Sequence, residues 1–276
     1  MMMQAPIKKV KRLNRENYYS NEMDWKYMSA TMFKNFIKCE SAALNQLKHP
    51  PEQVDNKALL IGNYVHSYME SNKAYQEFID DHHAFFFTQK GSKRADATLG
   101  DKMIKKLEQD ALFQYFYNSD NCEKEVILTG NLFDAQWKAR IDSLNVEKGY
   151  FCDIKTTREL HKRYWSVQKR TWVSFIEEYN YALQMGVYKR LLQHKYHKPF
   201  NCYIFAVDKT QDTELEAIQM PNEDMEEQME FIETHIERVK QVIAGDIEPV
   251  RCERCAYCKS TRKLNRFITP AELILE

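Results

Sequence analysis

Two aspartates and a lysine lie where a β-hairpin would bring them together. Arg140-Ile141-Asp142-Ser143-Leu144 alternates apolar and polar residues, the pattern of a half-buried strand. Glu147-Lys148-Gly149 is turn chemistry, and Tyr150-Phe151-Cys152-Asp153-Ile154-Lys155 reads as the returning strand. Alternate side chains of a strand share a face, so Asp153 and Lys155 point the same way. With a two-residue loop, facing positions have numbers of odd sum. That sets Asp142 opposite Asp153 or Lys155 on the same face, whereas an even sum would turn it away. Two carboxylates and an ammonium on a buried face need compensation. A divalent cation between the carboxylates supplies it, and hard oxygen donors suit Mg²⁺ or Mn²⁺. Lys155 is then placed to act on a water or a scissile phosphate, lowering the water's pKa or stabilising developing negative charge. The rival reading is a surface hairpin with an ordinary salt bridge, and D-x-K alone favours that rival.

The elements that must position these groups follow from periodicity. Ser29 or Thr31 caps a helix running to about Lys48, with Phe33, Phe36, Ile37, Leu44 and Leu47 as its stripe and Cys39 near the stripe's edge. His49-Pro50-Pro51 stops it. A second helix runs from about Ala58 to Tyr75. Gly62 and His66 are one turn apart on it, and the missing side chain at Gly62 lets another backbone approach beside His66. Residues 84–88 read as a strand or a short buried segment, and a helix spans about Asp96 to Tyr117. Glu123–Leu128, Asn131–Val146 and Tyr150–Thr156 form an antiparallel meander that offers Glu125 as a further acid. Residues 161–179 interleave Trp165, Trp172 and Phe175 with Lys162, Arg163, Lys169 and Arg170. This mixture suits either a nucleic-acid strand or the amphipathic start of a helix. A helix from about Tyr179 to Lys195 projects Gln184 and Tyr188 together. Strands at 201–207 and 213–219 precede a long helix, Asn222–Ala244, whose stripe of Met225, Met229, Ile232, Ile236, Val239 and Ile243 is core, and Gly245 ends it.

The chain has 276 residues, 43% of them hydrophobic, enough for one large domain. The expected organisation is an arm over 1–26, a main domain over 27–250 and a cysteine-bearing tail over 251–276 packed on the N-terminal helix. Lys plus Arg and Asp plus Glu number 40 each, so the net charge is zero. That argues against a uniformly basic coat but leaves room for a local groove, with basic clusters at 8–15, 155–170 and 251–266. No run of 18 apolar residues exists, and Met1–Asn21 lacks the apolar centre of a secretory signal, so a cytoplasmic protein without a membrane partner is expected. There is no Gly-x-x-x-x-Gly-Lys-Ser/Thr, hence no ATP motor.

Seven cysteines suit no disulfide scaffold in a chain of this size. Cys122, Cys152 and Cys202 read as packing thiols. Cys252, Cys255 and Cys258 fall within seven residues at C-x-x-C spacing, which wraps one metal or one cluster corner and leaves a fourth position for Cys39. Iron–sulfur, zinc and free thiols are the alternatives.

Asp142 with Asp153-Ile154-Lys155 resembles the signature of the PD-(D/E)XK nucleases, with Ile141 where the family name has proline. Trp137-Lys138-Ala139-Arg140-Ile141-Asp142 and Asp153-Ile154-Lys155-Thr156-Thr157 resemble the RecB-like branch most, and the whole chain resembles phage-encoded RecE-like exodeoxyribonucleases. The resemblance implies an α/β fold with a mixed central sheet flanked by helices. It makes Asp142, Asp153 and Lys155 catalytic, and His66, Asp142, Asp153 and the Ile154 carbonyl the Mg²⁺ (or Mn²⁺) ligands. His66 comes in through the G-x-x-x-H-x-x-x-E helix of Gly62, His66 and Glu70, with Glu70 structural. Gln184 and Tyr188 match a Q-x-x-x-Y motif that positions DNA. The implied reaction is ATP-independent 5′–3′ resection of duplex DNA ends by metal-activated water, leaving 3′ overhangs for a single-strand annealing recombinase. Ring homo-oligomers and a phage or prophage origin go with it. A structure-specific endonuclease, a single-strand nuclease of CRISPR-adaptation type, and a non-catalytic DNA-binding protein are the alternatives. Relatives of the AddB type hold a [4Fe–4S] cluster on one upstream and three C-terminal cysteines, which implies one on Cys39, Cys252, Cys255 and Cys258. The final two-residue gap is shorter than in those relatives, which keeps Zn²⁺ in contention.

Overall fold

β-Branched and aromatic residues concentrate in the middle of the chain, and there the strands form. The computed structural model describes residues 12–50, 56–167, 169–264 and 266–273; the start of the expected arm, 1–11, lies outside them. Helices α1 (Asn21–Asp24), α2 (Ala30–Lys38), α3 (Glu40–Lys48), α4 (Lys57–Glu70), α5 (Asn72–Asp81), α6 (His83–Phe86), α7 (Ala95–Gln109) and α8 (Ala111–Tyr117) come first. Strands β1 (Glu123–Leu132), β2 (Ala135–Asn145), β3 (Tyr150–Thr157), β4 (Tyr164–Ser166) and β5 (Thr171–Val173) follow. Then come α9 (Phe175–Glu178), α10 (Tyr181–Tyr196), β6 (Asn201–Asp208), β7 (Leu215–Gln219), α11 (Asn222–Ala244) and α12 (Ala256–Ser260).

The sheet order is β1-β2-β3-β6-β7, with β4 and β5 in a separate hairpin. β1–β2, β2–β3 and β6–β7 are antiparallel. β3–β6 is parallel, so the chain crosses over between them through α10. This is a mixed α/β sheet covered on both faces, which is why β3 is almost wholly buried. One apolar layer joins α2, α3, α10 and α11 around Trp137, Phe33 and Phe200. The other joins α4, α7 and α8 around Tyr64, Phe86, Phe113 and Phe205.

Four local readings of the sequence change. The helix expected over Ser29–Lys48 is two, because Cys39 adopts an extended conformation (φ −167°, ψ 104°) between α2 and α3. Ser71 and Asp110 likewise interrupt the two following helices, each capping a new one by accepting an N–H, from Ala74 and Phe113. The β1–β2 turn falls at Phe133-Asp134, both at positive φ, rather than between the expected strand bounds Leu128 and Asn131. Gly130 stays inside β1, where a Cβ would come within 2.9 Å of Leu191, so it serves close helix packing and not a turn. Residues 164–173 make the β4–β5 hairpin instead of a helix start.

Within the described part of the arm, Tyr18 and Met23 are buried. Lys138 reaches from β2 to the Tyr18 carbonyl at 2.6 Å and to Asp24 at 2.7 Å. The packed body therefore begins before Tyr18, ahead of residue 27.

Candidate active site and thiol centre

β2 and β3 pair as Ser143↔Cys152, Leu144↔Phe151 and Asn145↔Tyr150, around a loop of residues 146–149. Every sum is odd, so Asp142 and Asp153 face one another. Past Ser143 the strands part and β3 continues along β6. The Asp142 carboxylate bridges the gap: its Oδ2 accepts the Ile154 N–H at 2.8 Å and lies 3.3 Å from His66 Nδ1. The His66 ring also meets the Ile154 backbone, so the Ile154 peptide faces the site. His66 comes from α4, which approaches β3 at Gly62; a Cβ there would stand 3.0 Å from Thr156 Oγ1. A side chain there would require Thr156 to give by a few tenths of an ångström.

Glu125 enters from β1. Lys124↔Ser143 and Val126↔Ile141 keep one register, so no residue is inserted between them. Glu125 itself, opposite Asp142, takes φ 54°. For a glutamate this costs on the order of 1–3 kcal/mol and persists only where the surroundings enforce it. Its carboxylate is buried, with Arg140 Nε 2.5 Å from Oε2. Donor atoms of His66, Glu125 and Asp142 all lie within 4.8 Å of one another. Asp153 stands beside that trio, its Oδ2 2.6 Å from Lys155 Nζ. Glu70 is tied to Arg15 at 3.2 Å.

Glu125 Oε2 and Asp153 Oδ2 are buried, and each is held by one cation, Arg140 and Lys155 respectively. Burial, then the Asp142 charge, pushes the Glu125 carboxyl up to about 8. Burial pushes Asp153 up to about 7, against the pull of Lys155. Burial holds His66 below its usual value, so its imidazole is neutral and free to ligate. For Lys155, burial acts downward, but the Asp153 carboxylate outweighs it and the ammonium persists. A Glu125 carboxyl that retains its proton near neutrality beside Asp142 and a neutral imidazole makes a donor set that a divalent cation would complete. One imidazole and two carboxylates grouped this closely suit Mg²⁺ or Mn²⁺.

The site floors a cleft of about 470 Å³ reached by His66, Asp142, Asp153, Lys155, Gln184 and Tyr188. Gln184 accepts from Lys155 at 3.4 Å and donates to the Tyr188 hydroxyl at 2.9 Å, so these two side chains form one chain with the lysine. Two neighbours escaped the sequence reading. Lys155 lies 4.6 Å from the Tyr181 ring, a position findable from its spacing to Gln184. Lys34 of α2 bonds the Tyr179 carbonyl at 3.0 Å, and burial, then Lys155, lowers it to about 8. No local pattern marks Lys34, because α2 reaches the cleft only through tertiary packing.

At the C-terminal end of α2, the break at Cys39 carries its sulfur to the C-terminal segment. Cys39 Sγ is 3.5 Å from Cys258 Sγ, and Cys252 Sγ is 4.0 Å from Cys258 Sγ. All four cysteine sulfurs lie within 4.8 Å of one another. The N–H groups of Cys255 and Cys258 point at the sulfurs of Cys252 and Cys255, at 3.3 and 3.4 Å. Backbone N–H groups lower the Cys252 thiol to about 6, whereas burial pushes Cys258 up to about 12. The segment is docked by Ser41, which accepts nothing from it but donates to the Pro249 carbonyl at 2.9 Å, and by Glu40, which accepts the Val250 N–H at 2.7 Å.

A five-stranded mixed sheet with an Asp–Asp-x-Lys hairpin and a helix-borne histidine defines a protein of the PD-(D/E)XK type. The chain belongs to the family described as "PDDEXK-like domain of unknown function (DUF3799)", whose model matches residues 29–261. Among solved structures it is similar to one from Eubacterium rectale described as a "Putative exonuclease", at 28% identity and TM-score 0.86, covering 96% of this chain and 98% of that one. A second structure, described as SSO0001, shares 14% identity with 83% and 91% coverage, and its TM-score of 0.32 supports no argument. No curated protein matches. Among the described residues, no helix is long and apolar enough to cross a membrane.

Proposed function

We propose that the chain is a metal-dependent exodeoxyribonuclease that hydrolyses phosphodiester bonds at duplex DNA ends, without ATP, from 5′ to 3′. The observation that carries this reading is the gathering of His66, Glu125 and Asp142 donor atoms within 4.8 Å of one another, with Asp153 and Lys155 beside them, at the floor of an open cleft. His66, Asp142 and Glu125, with Asp153 and the Ile154 carbonyl, would hold Mg²⁺ or Mn²⁺. Glu125 thus joins the ligands expected from the sequence. When bound, the ion polarises the phosphate and activates water.

The protein groups then divide the remaining tasks. Asp142, fixed by the Ile154 N–H and His66, keeps the donor set in register. Lys155, kept charged by Asp153, faces the scissile phosphate and stabilises its developing charge. Gln184 and Tyr188, bonded to each other and to Lys155, position the DNA backbone. Trp165 and Trp172 stand exposed on the β4–β5 hairpin with Arg163 5.4 Å from the Trp172 ring, a surface suited to stacking on a base and pairing with phosphate. Similarity to the Eubacterium rectale protein, itself described as a "Putative exonuclease", supports the exonuclease mode, as does the resemblance to RecE-like enzymes. The 3′ overhang so made would serve a single-strand annealing recombinase, and a homo-oligomer would confer processivity.

The test is linear duplex DNA labelled at either the 5′ or the 3′ end, with a covalently closed circle alongside, in Mg²⁺, Mn²⁺ or EDTA. Metal-dependent release of 5′-end mononucleotides, with the circle spared, is expected. Cutting of the circle would replace this reading with an endonuclease. Binding without any cleavage would leave a DNA-binding protein on a nuclease fold.

A further inference from the structure

We infer that Cys39, Cys252, Cys255 and Cys258 hold a single tetrahedral Zn²⁺ and not the [4Fe–4S] cluster that the family resemblance implies. The spacing of the sulfurs decides this. Around one zinc ion, Zn–S bonds of about 2.3 Å set at tetrahedral angles place the sulfurs about 3.8 Å apart. Here the two sulfur–sulfur distances to Cys258 are 3.5 and 4.0 Å, and the whole set lies within 4.8 Å. A cubane gives each thiolate its own iron. Its sulfurs are then separated by two outward iron–sulfur bonds and an iron–iron edge, on the order of 6 Å. To span a cubane these sulfurs would have to move apart by roughly 2 Å, and Cys39 and Cys258 sit on segments that are bonded to one another.

That movement is opposed by bonds on both sides. Glu40, the residue after Cys39, accepts from Val250 and pairs with Arg238 of α11 at 2.6 Å. Ser41 N–H donates to the Val250 carbonyl at 3.1 Å. On the other strand of the clamp, Arg251 donates to the Cys258 carbonyl at 2.7 Å. The N–H groups aimed at Cys252 and Cys255 would stabilise thiolates around either kind of centre, so they do not discriminate; the separation does. Four thiolates suit zinc or iron–sulfur alike, but sulfurs this close together fit one zinc ion, with no open position left for substrate. The centre is therefore structural, clamping the α2–α3 break to the segment after α11. This inference concerns a different set of residues from the hydrolytic site and stands whether or not the chain cleaves DNA.

The test is elemental analysis of the full-length chain purified without oxygen, together with acid-labile sulfide and the visible spectrum. About one zinc per chain is expected, with no sulfide and no visible band. Exchange with Co²⁺ should then give the thiolate charge-transfer and d–d absorption of a tetrahedral cobalt site. About four irons and four sulfides per chain, with broad brown absorption, would overturn the inference. So would a single iron, or a metal-free chain whose four thiols react freely. Cys252→Ser should lower the zinc content, while Cys122→Ser, outside the centre, should leave it unchanged.

Discussion

The carboxylate site and the thiol centre both border α2 and handle charge in opposite ways. Asp142, Asp153 and Glu125 project from three neighbouring strands, and the sheet forces them together before any cation is present. Two of their carboxyls are pushed towards neutral pH by burial. The thiol centre is assembled from a helix break and a tail more than two hundred residues away, with N–H groups already turned towards its sulfurs. A site that must turn over substrate keeps an open face and tolerates displaced carboxyl pKa values without its ion. A closed centre has its donors satisfied and joins parts of the chain. The contrast is one of hard, exchangeable chemistry on a rigid sheet against soft, permanent chemistry at a joint.

If the contrast holds, the largest expected effect is on cleavage. Asp142→Asn weakens the ligand and disturbs both the His66 and Ile154 contacts, so kcat should fall by more than about 100-fold, the upper range for merely supporting residues. The metal content of the thiol centre and the melting curve should barely change. Unaltered cleavage would erase the distinction between the two regions.

Glu125→Gln asks whether the strained glutamate belongs to the site. Half-maximal activity should then need about 10–100 times more Mg²⁺, with recovery at saturating metal. An unchanged Mg²⁺ requirement would make Glu125 only the partner of Arg140.

A smaller effect is expected from pH. With Asp153 held at about 7 and Glu125 at about 8, both carboxyls carry protons at pH 6 that a cation must displace. Their folded values are raised, so in the metal-free protein they stabilise the fold most at low pH, and that contribution fades as pH rises through the folded values. Metal binding should run the other way. Calorimetric Mg²⁺ affinity should rise from pH 6 to pH 8, with proton release greatest at the acid end. Flat affinity would show that the carboxyls are already ionised.

The smallest is a control remote from both regions. Ser71→Ala removes the cap that accepts the Ala74 N–H and should cost about 1 kcal/mol of stability, measured by denaturant titration, with cleavage unchanged.

Much of the carboxylate site was legible because strand parity carries it. The odd register, Asp142 facing Asp153, and the Gln184–Tyr188 pair all follow from local spacing. What parity could not supply was the conformation of Glu125, whose positive φ has no sequence mark on a glutamate. The thiol motif was equally plain in Cys252, Cys255 and Cys258, but the helix break that delivers Cys39 was not. Nothing near Cys39 resembles a glycine, a proline or a cap, and the break is enforced by contacts with Pro249 and Val250, far away in the chain. The break expected between Leu128 and Asn131 fails for the same reason, since the place of Gly130 is set by Leu191 of the crossover helix α10.

The most direct test of the account is cleavage of linear duplex DNA in Mg²⁺ by Asp153→Ala and by Lys155→Ala, with folding checked by circular dichroism and thermal melting. The account predicts folded proteins with cleavage abolished in both. Retained cleavage in both variants would contradict it.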